Sequence, residues 1–233
     1  RLPSLILPAA AGLAPAGIFD AANRFSSTLG MATSASVVGL MPSFARSLGA
    51  GASQSTDLVA YSVKYMCLGM AAISTAIALL AHYIIQLFFG EAFYEAGLPL
   101  QILAWAQVLF AMDAVLQQAM LASNAAPAVI RHSIVGLATQ LATILILFKV
   151  LGLPGVALAV FLGSAVALAL DLGFVIRHIA AFSIVRFALA PLAAACVAAI
   201  TLYASGYLSL VAQALLVAAG WAIAIVVFGL APK

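Results

Sequence analysis

Between Lys64 and Glu91 the chain runs from Tyr65 to Gly90 without one charged side chain, and gaps of this kind recur. Phe25–Ala45, Val150–Leu170 and Phe187–Pro232 are equally free of Asp, Glu, Lys and Arg. Each reaches the roughly 18 apolar residues that suggest a bilayer-crossing helix, and the last is long enough for two, with a break near Gly206. A backbone in hydrocarbon has no water to bond, so such segments must satisfy their hydrogen bonds internally, as helices do. Charged residues make up only 6% of the 233, where a soluble domain carries about a quarter. The expected fold class is therefore an all-α integral membrane protein.

Seven complete spans are expected, roughly 17–44, 58–88, 96–121, 126–150, 154–179, 184–204 and 207–230. The apolar start, "RLPSLILPAAAGLAPAG", reads as the tail of a further helix whose beginning is missing, not as a signal peptide. The connections are short. The longest, "ARSLGAGASQSTD" and "GEAFYEAGLP", leave no room for a folded catalytic domain outside the membrane.

The scattered cations orient the chain. With the loop after Phe44 in the cytoplasm, cytoplasmic ends carry Arg1, Arg46, Lys64, Arg131, Arg177, Arg186 and Lys233, and the opposite ends carry Lys149 and Arg24. That bias follows the positive-inside rule and puts the C-terminus in the cytoplasm, in a multi-pass protein of the cytoplasmic (inner) membrane. Glu91 and Glu95 then fall outside, among Phe88, Phe89, Phe93 and Tyr94, which suit the headgroup layer.

The net charge of +3 comes with no basic patch, so nucleic acid is not an expected partner. Cys67 and Cys196 lie inside apolar runs without metal-ligand spacing. No GxSxG, HExxH or phosphate-binding glycine loop is present. The reading is therefore not an enzyme, with no catalytic residues, no metal and no cofactor.

A polar stripe on a buried helix marks a cavity or an interhelical hydrogen bond. In the third span Asp113, Gln117 and Asn124 fall near one line at about 100° per residue, provided the helix continues to Asn124; Gln107 points about 120° away from Asp113. Asp113 is either a structural carboxylate or a cavity group. In the first span Asp20 and Arg24 form an i,i+4 pair. Arg24 either snorkels to the interface or faces a cavity, where a guanidinium matches phosphate. His132, Gly136, Thr139, Gln140 and Thr143 share a face of the fourth span. Ser164, Asp171 and His178 are spaced by seven in the fifth, where Arg177 is the expected partner of Asp171. The last two spans carry no charge before Lys233 and read as peripheral helices.

Several stretches appear in a set order: "GIFDAANRF" (17–25), "LMPSFARSLGAG" (40–51), "FFGEAFYEAGLP" (88–99), "LASNAAP" (121–127) and "GLPGVA" (152–157). This order resembles the C-terminal half of the polysaccharide-export flippases. Those are oligosaccharidyl-lipid flippases of the multidrug/oligosaccharidyl-lipid/polysaccharide transporter superfamily. Ile18 replaces the aromatic of the family's entry pattern, and Ser123 the alanine of its turn. The resemblance implies a C-terminal lobe over residues 1–180 (a partial helix over 1–16, then five spans) and two extra peripheral helices over 181–233. It also implies an N-terminal lobe absent from this chain.

The implied activity is flipping a polyprenyl-diphosphate-linked oligosaccharide across the membrane by alternating access, for polysaccharide export. The partners would be that lipid-linked oligosaccharide, membrane lipid and the missing lobe, with ion coupling possible. Arg24 is the candidate diphosphate contact, and Asp113, Gln117 and Gln140 are candidate substrate-binding or cavity-lining groups. Two alternatives stay within the superfamily. One is a lipid II flippase, for which a single deep arginine is a poor match. The other is an ion-coupled multidrug exporter, in which Asp113 and Asp171 would be cation or proton sites.

Overall fold

The computed structural model describes residues 7–8, 12–50 and 52–179. Within them the chain is helical throughout, with no strand. Six α-helices follow in order: α1 Leu13–Val38, α2 Met41–Ala50, α3 Ala52–Phe89, α4 Gly97–Ala122, α5 Ala126–Leu151 and α6 Leu153–His178. A 3-10 helix, Glu91–Ala96, joins α3 to α4. Five helical stretches are long and apolar enough to cross a membrane, Leu13–Ser47, Thr56–Phe89, Glu91–Ala122, Ala126–Leu151 and Leu153–His178. They correspond to the first five expected spans. The sixth and seventh spans, and with them Cys196 and the proposed peripheral helices, lie outside the described residues.

The first span departs from a single straight helix. The chain turns at Gly39–Leu40, where Leu40 N–H donates to the Val37 carbonyl, and α2 starts afresh. Pro42 explains the restart, because proline fits the first turn of a helix, where its missing N–H is no loss. Phe44 and Ser47 face inward from α2 while Arg46 faces out. The stretch expected as a loop after Phe44 is thus largely helix, held by this buried face. The 38 residues of α3 would extend about 57 Å at 1.5 Å per residue, well beyond a hydrocarbon core of about 30 Å.

The centre of the bundle is α4. Fifteen of its 26 residues are buried, and it packs against α1, α2, α3 and α6. By contrast, α5 buries only Ala128, Gly136 and Ile144. Its outer face presents Ile130, Ile134, Leu145, Ile146 and Val150, an apolar surface suited to lipid. Two apolar clusters form the core. One gathers Leu7, Phe19, Ile85, Leu100, Leu103 and Val156; the other gathers Phe44, Val63, Cys67, Leu116, Met120 and Val175.

The hairpin of α5 and α6 is the closest pairing. A Cβ at Gly136 would lie 2.8 Å from the Gly163 carbonyl oxygen and from Ala167 Cβ, and one at Gly163 would lie 2.8 Å from Gln140 Cβ. The two glycines therefore let the helix backbones touch, the usual device where no water-driven force holds helices together.

Both turns at the ends of α4 have a local explanation. Gly90, at φ 84, ends α3 in the left-handed region that L residues with a Cβ avoid. Around it, Phe25 packs edge-on against Phe88 and Phe89 (5.3 and 6.2 Å), Phe89 contacts Phe93, and His82 lies 4.8 Å from Tyr94. At the other end Asn124 adopts φ 60, and Ala125 N–H reaches back to the Met120 carbonyl at 2.9 Å. That six-to-one bond around a left-handed residue closes a helix C-terminus. The helix consequently stops at Ala122, and Asn124 sits in the turn, off the polar stripe expected from helical continuation.

Candidate functional site: a polar cavity between four helices

A cavity of about 710 Å³ lies between α1, α4, α5 and α6. From α1 it takes Ser27, Gly30, Met31, Thr33 and Ser34, and from α4 Gln107, Phe110, Asp113, Ala114 and Gln117. Ser133, Gly136, Leu137 and Gln140 come from α5, and Gly163, Ser164 and Ala167 from α6. The small residues that let α5 meet α6 also leave room for the space beside them. Hydroxyls and amides dominate its polar groups. Among the described residues on its wall, Asp113 is the sole ionisable one.

Many of the hydroxyls are already engaged along their own helices. Ser27 and Thr28 donate to the Arg24 carbonyl, Ser34 to Gly30 and Ser164 to Val160. The amides are freer. Gln107 Nε2 donates to Ser26 Oγ at 2.7 Å, while its Oε1 is buried without a donor. Gln117 Nε2 donates to Asp113 Oδ2 at 2.9 Å, and Asp113 Oδ1 is left bare. A buried acceptor without a donor is costly, so each of these two oxygens calls for a proton or for a rearrangement that brings it a donor.

Behind the wall sits a second polar group. Asp171 is fully buried, and its Oδ1 lies 2.6 Å from His132 Nδ1. Its partner is thus the histidine of α5, not Arg177 as the i,i+6 spacing on its own helix suggested. Residues six apart on a helix lie about 120° from the same azimuth, whereas the α5–α6 contact brings His132 directly to Asp171. Asp171 also lies within hydrogen-bonding reach of Asp113.

The candidate residues divide clearly. Asp113, Gln117 and Gln140 line one cavity. Arg24 does not: its side chain is 73% exposed and its Nε pairs with Asp20 Oδ2 at 3.2 Å, one turn beyond Ser27. Gln107 reverses its sequence reading. It does point away from Asp113 around α4, but α1 crosses on that side, and the cavity wraps around the helix to include both. The sequence did not single out Gly30 and Thr33 on the wall, or Ser26, which holds Gln107. Their signal, a run of small and hydroxylated residues on α1, is equally common on plain packing faces.

No protein-family model matches the chain, and no curated protein matches it.

Proposed function

We propose that this protein is a transporter that carries a lipid-linked oligosaccharide across the membrane, with the four-helix cavity as its glycan-facing surface. The observation that carries the reading is the cavity itself: amides, hydroxyls and one acid, with no cation, set among apolar side chains on its described wall, between helices apolar enough to span a bilayer. Glutamine amides pair with sugar hydroxyls as donor and acceptor at once, and Gln107, Gln117 and Gln140 all line the space. The ordered motifs that resemble the polysaccharide-export flippases support the same reading. So does the physical problem such a flippase faces, moving a polar head through about 30 Å of hydrocarbon while its lipid tail stays in it. A polar cavity opened alternately to each side solves it.

In this reading the diphosphate is not held by the cavity wall described here, whose only charge is negative. Arg24 lies toward the outer end of α1, in the orientation given by the cations, and remains the candidate contact for it. The protein would sit in the cytoplasmic membrane with its C-terminus inside, and a second lobe would complete the site.

The acid on the wall also favours a second reading, an exporter of cationic compounds, because a lone carboxylate in a cavity attracts cations. Glycan export and drug resistance measured in the same cells separate the two. The flippase reading expects Gln117→Ala and Gln140→Ala to lower export about tenfold, as loss of roughly 1.4 kcal/mol of substrate contact would, at unchanged membrane level. Normal glycan export with lost drug resistance in Asp113→Asn would favour the exporter instead.

A further inference from the structure

The cluster of Asp113, Asp171 and His132 joins α4, α6 and α5, and its hydrogen bonding is incomplete in one specific way. Gln117 serves Asp113 Oδ2, and His132 serves Asp171 Oδ1. The other oxygen of each carboxyl group, Asp113 Oδ1 and Asp171 Oδ2, is buried without a partner. Asp171 is 0% exposed and Asp113 7%. The two carboxyl groups are within hydrogen-bonding reach of each other. Ionised carboxylates are acceptors only, so two of them cannot bond to one another. They also repel strongly where water is excluded. A single proton between them gives both groups their missing partner.

Among the described residues the one cationic partner open to the pair is His132 itself, 2.6 Å from Asp171 Oδ1. Among the described residues the ion pairs are Arg24–Asp20 and His132–Asp171. The other charged groups and histidines on the surrounding helices, Arg46 on α2, Asp57, Lys64 and His82 on α3, Arg131 and Lys149 on α5, and Arg177 and His178 on α6, form no ion pair with either carboxylate.

We propose that Asp113 and Asp171 share one proton, with His132 as its relay to the outside of the pair. Asp113 is on the cavity wall and takes the proton from cavity water. Asp171 lies behind it, and His132, with 16% of its side chain exposed, lies beyond. Binding removes one negative charge from the site, and release through His132 restores it. The pair bridges α4 and α6, so its charge state bears directly on how closely those two helices approach.

Infrared titration of the purified protein in lipid nanodiscs tests this without any substrate. The expected result is a protonated-carboxyl C=O band at neutral pH that disappears in Asp113→Asn and in Asp171→Asn. In His132→Gln the band should titrate over a different pH range. Replacing K+ by Na+ should leave it unchanged. A wild-type protein without the band at neutral pH overturns the proposal, as does a band that persists in both Asn variants. Loss of the band in Na+ overturns it in favour of a metal cation. If an Asn variant does not fold, the wild-type band and the His132→Gln titration still decide: an identical titration removes the relay. Failed glycan export alongside a normal titration would remove the flippase reading and leave the proton site standing.

Discussion

Arg24 shows how much a single residue's neighbours matter. Its spacing from Asp20 made an intrahelical pair readable, and the structure contains that pair at 3.2 Å. An exposed pair of this kind contributes little to stability, so its loss should be tolerated by the fold. Arg24→Ala is therefore expected to keep normal protein level while export falls, as assayed by surface glycan against a membrane immunoblot. Wild-type export in that variant would sink the diphosphate role. Gly136 makes the opposite prediction. Its absent Cβ would stand 2.8 Å from two atoms of α6, one of them a backbone oxygen that cannot move alone. Gly136→Val should cost about 1–3 kcal/mol, seen as a lower unfolding temperature in detergent, because overpacking forces backbone shifts.

At the scale of elements, the turn from α4 to α5 is set by Asn124 in the left-handed region. Asparagine tolerates that conformation and glycine adopts it freely, whereas a β-branched residue pays for it. Asn124→Gly should leave thermal stability nearly unchanged, and Asn124→Val should lower it by about 1–2 kcal/mol. Equal effects of the two substitutions would mean that the turn is held by something other than this dihedral. The same turn explains why helical extrapolation overreached: spacing along a sequence cannot see a helix end marked by asparagine and alanine instead of glycine. The segment α2 is the related case, where the stretch from Ala45 read as a loop but the inward Phe44 and Ser47 belong to a helix that continues to Ala50.

For the whole molecule the question is which way it faces. In the proposed orientation, which rests on the positive-inside distribution of the cations, the Glu91–Ala96 helix lies outside and the Asn124 turn inside. In a variant lacking native cysteines, Glu95→Cys should react with a membrane-impermeant maleimide on intact cells, and Asn124→Cys only after permeabilisation. The reverse pattern would invert the orientation and with it the sided roles given to Arg24 and Asp113. Packing at this scale is uneven in a way that fits a helix bundle in lipid: α4 is central, while α5 leaves a broad apolar face uncovered.

By itself the sequence determined the helical class and the approximate extents of the five described spans, because the bilayer's demand for long uncharged helices is written residue by residue. It also singled out Asp113, Gln117 and Gln140, since an amide or acid in an apolar helix is conspicuous wherever it points. Only the tertiary structure decided which of these meet. It joined Gln107 to the same cavity, left Arg24 outside it, and gave Asp171 to His132 instead of Arg177. Those pairings depend on how neighbouring helices cross and rotate, and that is set by small residues such as Gly136 and Gly163, whose packing role has no signature in a single chain.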